Sequence, residues 1–186
     1  MYYNFVDRKL RRYNMIDMNR EIRIPITQLR DYLNEVGLTV TALAELSGIG
    51  IRHLQKCLAG EIDQRNGTVR TLSDENIVLL QDALHRLSVN LKYIFIFYNP
   101  DMEVVKRNGN RYCKDCVYQI KQQLSPYFNI LPFMQYTLEW NRSKVRNVMD
   151  IEKGFAFGNI SQDDVNRINV KLAEIATRLD MLTIIK

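Results

Sequence analysis

Residues 38–61 read LTVTALAELSGIGIRHLQKCLAGE, and this stretch decides the fold. Leu43 and Leu46 share one face of a helix read over 39–46, and Leu54, Cys57 and Leu58 share one face of a second read over 51–58. Thr39 is placed to cap the first. Two short helices cross closely only where a small side chain sits at the contact, and Ala44 supplies one. Four positions on, Gly48 gives the connecting turn a residue that reaches positive φ without steric cost. Gly60 stands where a helix stop is expected. With Leu54, Cys57 and Leu58 committed to the contact, the second helix faces outward with Gly50, Arg52, His53, Gln55, Lys56 and Ala59, a polar and partly basic surface.

Outward from this stretch, 27–36 reads as a helix ended near Gly37, and 20–24 alternates like a short strand running into Pro25. Residues 61–72, EIDQRNGTVRTL, form a polar loop with an Asn-Gly turn signal. A longer helix over 74–88 is opened by Ser73 and the acids Asp74 and Glu75, and KYIFIFY (92–98) is aromatic and β-branched like a strand. In this setting 38–61 resembles the helix-turn-helix of the lambda-repressor/Cro-like family. The resemblance rests on Leu43-Ala44, Gly48, Leu54, Cys57 and Gly60, and extends to the five-helix outline of residues 26–90. It implies a transcriptional regulator, commonly dimeric, that lays helix 51–59 in the major groove of double-stranded DNA. Arg52 and Gln55 are side chains able to make paired hydrogen bonds to guanine or adenine, Lys56 is a further base-edge candidate, and His53 is in a position to touch a phosphate. The long 61–72 loop departs from the family.

The chain also repeats itself. A shift of 91 residues places Asn19-Arg20 on Asn110-Arg111, Leu29 on Ile120, Leu33 on Leu124, Leu43 on Met134, Leu54 on Val145 and Cys57-Leu58 on Val148-Met149. Beyond residue 61 the shift becomes 88, and Ser73 meets Ser161, Leu80 Ile168, Leu84 Leu172, Leu87 Ile175 and Leu91 Leu179. The predicted fold is therefore mainly α: two tandem lambda-repressor-like units, 19–98 and 110–186, with a small β element between or around them. Residues 1–18 form an arm or extra helix and 99–109 a linker with an Asn108-Gly109 hairpin signal. The second unit has helices near 116–125, 131–138, 142–149 and 162–179 and ends in the strand-like MLTII. Its turn departs from the first: Gln135 stands at the place of Ala44, Glu139 at that of Gly48 and Trp140 at that of Ile49, so a close crossing with Gln135 inside is not expected. The outward segment that aligns with 50–56 holds Asn141, Arg142, Ser143, Lys144, Arg146 and Asn147 and is more basic. This unit is either a second DNA reader with altered turn geometry or a half retained for packing. The strands KYIFI and MLTII are expected to pair with the strands before each first helix, within a unit, across units or across a homodimer. Because Tyr93, Phe95 and Phe97 would alternate with Ile94, Ile96 and Tyr98, that strand calls for apolar cover on both faces.

Composition narrows the function. The formal net charge is +5, with 13 Lys and Arg against 11 Asp and Glu in residues 1–97 and 13 against 10 in the rest, so neither half is strongly basic. This leaves a competing reading, a helix-turn-helix scaffold that has lost DNA and binds another protein. No run of about 18 apolar residues marks a membrane span, and the start of the chain does not read as a secretory signal. Three Cys give no disulfide framework and fit a reducing cytoplasm. Cys113 and Cys116 have the spacing of half a zinc site or a redox pair, but no further soft ligands are near in sequence, so they read as incidental, with one buried at a helix start. His53 and His85 lack catalytic partners at useful spacing, and no phosphate-cradling glycine loop occurs. No enzyme, metal or cofactor is expected. Arg8, Lys9, Arg11 and Arg12 with nearby aromatics read as a solvated or docking segment in preference to a minor-groove arm.

Overall fold

Local capping chemistry sets where the helices begin. Thr39 Oγ1 accepts from Ala42 N at 3.3 Å and Ser73 Oγ from Asn76 N at 3.2 Å; Ser161 and Asp164 form a reciprocal capping box. The computed structural model describes residues 21–105, 111–149 and 160–185. The N-terminal basic cluster, the Asn19-Arg20 match and the Asn108-Gly109 signal lie outside them. The order is β1 (Ile22–Pro25), α1 (Ile26–Val36), α2 (Val40–Ser47), α3 (Ile51–Leu58), α4 (Asp74–Lys92), a 3-10 turn (Pro100–Met102), β2 (Glu103–Val105), β3 (Arg111–Cys113), α5 (Lys114–Leu124), α6 (Ile130–Leu138), α7 (Arg142–Met149), α8 (Gln162–Met181) and β4 (Leu182–Ile185). The architecture is mainly helical, with eight α-helices among the described residues and one small parallel sheet. β2 and β3 form a separate antiparallel pair.

The two long helices α4 and α8 pack together at the centre. Leu80, Leu84, Leu87 and Leu91 of α4 and Ile168, Leu172, Ile175 and Leu179 of α8 are all buried, and one continuous apolar core joins both sets of helices. α4 runs four residues beyond the predicted 88 because Ser88 and Leu91 continue its buried stripe. The predicted start of α5 at residue 116 is corrected to Lys114, and its end to Leu124. Matching the helix ends Val36 and Leu124 gives a shift of 88 rather than 91. Three residues are nearly one helical turn, so periodicity alone hardly separates the two registers.

The two sets of helices hold each other by matching interactions. Thr39 N donates to Tyr127 O at 2.9 Å while Asn129 N donates to Gly37 O at 2.8 Å, framing a bridge between Leu38 and Phe128. Gly37 is required here: at φ 78° it ends α1, and a Cβ on it would stand 2.6 Å from the backbone nitrogen of Phe133. On α4 the Gln81 amide donates to Leu182 O and accepts from Ile184 N at 3.1 Å. On α8, 88 residues later, the Asn169 amide accepts from Ile96 N and donates to Ile96 O, both at 2.9 Å. β4 then pairs in parallel with β1, Ile22 opposite Leu182 and Pro25 opposite Ile185, so the MLTII strand pairs across the two sets.

KYIFIFY does not form the predicted strand. Residues 94–99 form no helix and pair with no strand, and over 94–98 inward and exposed side chains alternate as in an extended chain; side-chain amides take backbone groups that a neighbouring strand would otherwise pair: Asn169 at Ile96, and Gln119 at Phe97, with Phe97 N donating to Oε1 at 2.9 Å and Nε2 donating to Phe97 O at 3.2 Å. Cover is also one-sided. Ile96 is fully buried and Ile94 and Tyr98 pack on the core, whereas Tyr93, Phe95 and Phe97 are 84%, 52% and 63% exposed.

Asp180 of α8 joins both His85 and Lys92 of α4, at 2.7 and 3.0 Å. The Lys92 ammonium holds the carboxyl below its ordinary value against the opposing effect of burial, with a lesser lowering from the His85 ring. A depressed folded value adds stability that is present above the unfolded carboxylate value, about 4, and is lost as pH falls through the folded one. Asp180→Asn should therefore lower unfolding free energy at about pH 6 by no more than about 1 kcal/mol, the range of exposed pairs, with the difference shrinking as pH falls below the ordinary carboxylate value of about 4. Urea unfolding across that range measures it, and a deficit that grows on acidification contradicts the assignment.

Candidate nucleic-acid interface

The first outward helix is aimed by the turn that precedes it. Gly48 ends α2 at φ 72°, its N–H bonded to Ala44 O at 2.9 Å. Ile49 is buried as the plug of the turn, its N–H received by Ser47 Oγ at 3.2 Å, and α3 starts with Leu54 N bonded to Gly50 O at 3.0 Å. Ala44 is buried at the crossing, as the spacing requires. Leu54, Cys57 and Leu58 face inward; burial pushes the Cys57 thiol above its ordinary value, and it packs as a small apolar side chain. Gly50, Arg52, His53, Gln55 and Lys56 are all exposed. The His53 ring lies 3.9 Å from Cys57 Sγ, and Lys56 Nζ is 3.9 Å from the Glu61 carboxylate, an exposed pair worth little.

The loop after α3 is a small hairpin. Ile62 bridges Val69, Asp63 N bonds Thr68 O at 2.8 Å, Gly67 N bonds Asp63 O at 2.8 Å, and Arg70 closes on Asp63 at 3.1 Å. Arg65 sits exposed at its tip and lines a polar cleft with Lys56. The Asn-Gly signal located the turn, but nothing in the sequence reading brought Arg65 back beside α3.

The second outward helix keeps the turn with different residues. Glu139 takes the left-handed conformation of Gly48, at φ 57° and ψ 24°, and Trp140 is buried where Ile49 was. The expected obstacle, Gln135 inside the crossing, does not arise: Gln135 is exposed, and Phe133, Met134, Thr137 and Leu138 form the buried face of α6. Val145, Val148 and Met149 face inward from α7, leaving Arg142, Ser143, Lys144, Arg146 and Asn147 exposed. Two of the sequence-selected residues have local work. Asn141, itself exposed, caps α7 by accepting from Lys144 N at 2.8 Å, and Lys144 Nζ lies 3.9 Å over the Trp140 ring.

Neither α3 nor α7 contains an Asp or Glu, and together they carry five cations: Arg52, Lys56, Arg142, Lys144 and Arg146. The longer helices α1, α4, α5 and α8 each mix both signs. The Gln81 and Asn169 amides were missed in the sequence, although both are amides in the 88-residue register within otherwise apolar stripes. No family model, curated protein or solved structure matches the chain.

The two turns differ in backbone cost. A Cβ at Gly48 would touch nothing within 4 Å, so Gly48→Ala should cost only the left-handed penalty, about 1–2 kcal/mol. Glu139→Gly relieves the same penalty and should raise stability by about 1 kcal/mol. Denaturant midpoints of the two variants test this, and a destabilised Glu139→Gly would show that the Glu139 side chain, not its backbone, secures the turn.

Proposed function

We propose that the chain binds double-stranded DNA sequence-specifically and acts as a transcriptional regulator, through two tandem lambda-repressor-like helix-turn-helix units that place α3 and α7 against the duplex. The observation that carries this reading is the pair of exposed, carboxylate-free, cationic helices, each held behind a turn whose first residue is left-handed. Lysine and arginine neutralise phosphates and position the protein; base edges are read by Arg52, Gln55 and Lys56 on α3 and by Arg142, Ser143, Arg146 and Asn147 on α7. Corresponding positions differ: Arg52 against Ser143, His53 against Lys144, Gln55 against Arg146 and Lys56 against Asn147. Two unlike readers in one chain fit a site of two unlike halves, and a second copy is not needed to supply the second reader.

The competing reading, a protein-interaction module, is favoured by the modest net charge and by the exposed aromatic face of Tyr93, Phe95 and Phe97. Selection from random duplexes, followed by binding at two salt concentrations, separates the two. DNA binding requires enriched sequences and an affinity that falls steeply with salt. Arg52→Ala with Gln55→Ala should weaken the selected site by about 1–3 kcal/mol for each side chain that had paired with a base, and relax one half of the site. Arg142→Ala with Arg146→Ala should relax the other half. Full affinity in both double variants would leave the protein-interaction reading standing.

A further inference from the structure

Cys113 ends β3 and stands immediately before α5, and Cys116 lies in the first turn of that helix. Their Sγ atoms are 2.6 Å apart, and both residues are fully buried. Unbonded carbon atoms pack at about 3.5–4.0 Å, while sulfurs in a disulfide stand about 2.05 Å apart, so the pair is closer to a bond than to ordinary packing. A zinc ion does not fit this arrangement. Two thiolates on a tetrahedral zinc, at about 2.3 Å from the metal, would stand about 3.8 Å apart. Among the described residues no group of three or more His, Cys, Asp or Glu gathers as a metal site.

The extended segment 94–97 meets the pair at Cys116. Cys116 Sγ donates to Phe97 O at 3.3 Å, and the same carbonyl accepts from Gln119 Nε2 at 3.2 Å. Gln119 and Asn169 hold the segment down from α5 and α8. The third cysteine, Cys57, is buried on α3.

We propose that Cys113 and Cys116 form a reversible intrachain disulfide, that its co-reactant is a low-molecular-weight disulfide of the glutathione type, and that segment 94–97 gates the exchange. One cysteine, as thiolate, attacks a sulfur of the small disulfide; a mixed disulfide forms, the small S–S bond breaks, and one small thiolate leaves and is protonated. The second cysteine then loses its proton and attacks the protein sulfur of the mixed disulfide; the Cys113–Cys116 bond forms and the second small thiol departs. Two electrons pass from the cysteine pair to the small disulfide, and the two cysteine protons end on two small thiols. Burial pushes the Cys116 thiol above its ordinary value, which keeps it protonated and slow while the segment is down. The co-reactant reaches sulfur when the segment lifts. Once the disulfide forms, Phe97 O keeps its bond from Gln119 and loses the one from Cys116, so the oxidised chain holds the segment less tightly.

The native chain is equilibrated in a series of reduced-to-oxidised glutathione ratios, quenched, unfolded, alkylated and mapped by mass spectrometry. The expected product is a 113–116 peptide lacking two hydrogens, rising with oxidant and reversed by excess thiol, with Cys57 alkylated throughout. Alkylation of all three cysteines at every ratio, or a bond that includes Cys57, overturns the proposal. For the gate, Gln119→Ala and Asn169→Ala, each first shown to unfold cooperatively, should oxidise several-fold faster than the parent chain. An unchanged rate in both removes the gate.

Discussion

Two extended segments, 94–97 and Leu182–Ile185, carry backbone N–H and C=O groups that must find partners as the segments enter the apolar core, and both find them across the molecule. An unpaired backbone group costs about as much buried as a lost hydrogen bond, so this requirement is strict. Gln81 answers it for the last strand and Asn169 for the earlier segment, each from the long helix of the opposite set. Because α4 and α8 carry both amides and also the central apolar packing, neither set of helices can bury its own terminal segment without the other. The single continuous core follows from that exchange.

The same long helices fix the outward ones. α2 packs on α4 and α6 on α8, so the turns at Gly48 and Glu139 leave from a rigid base. With the inner faces of α3 and α7 spent on Leu54, Cys57 and Leu58 and on Val145, Val148 and Met149, their charged faces have only solvent or a partner to meet. Surface charge that served solubility alone would be expected to mix signs, as it does on α1, α4, α5 and α8. On the proposed reading, its one-sidedness on α3 and α7 is what suits these two helices to an anionic polymer.

Much of this was legible in the sequence because it depends on local chemistry. Thr39 and Ser73 announced helix starts, Gly48 and Gly60 announced left-handed turns, three- and four-residue spacing located the buried face of α3, and the repeat carried the same reading to Ser161 and to the buried faces of α7 and α8. What escaped depends on distant partners. KYIFIFY has strand composition, and only the arrival of Asn169 and Gln119 from other helices explains why it is extended without a strand beside it. Glu139 lacks the composition of a left-handed residue, and tertiary packing around Trp140 overrode its preference. Cys113 and Cys116 showed their spacing, but the cover over Cys116 comes from much earlier in the chain, at Phe97, and from the Gln119 amide that pins it.

The differences between the two sets of helices are as informative as the likeness. In a symmetric dimer every interaction occurs twice, so a residue change on one side of the interface is imposed on the other. Within one chain that coupling is absent. Gln81 and Asn169 stand at corresponding positions, β4 has β1 as a strand partner while 94–97 is held mainly by the Asn169 and Gln119 amides, and Arg52 and Gln55 correspond to Ser143 and Arg146. Each change would carry a doubled consequence in two identical subunits. Here each can adjust one grip, one segment or one outward helix alone, and on the proposed reading that freedom lets a pair of matched frames present two different chemical surfaces to the same duplex.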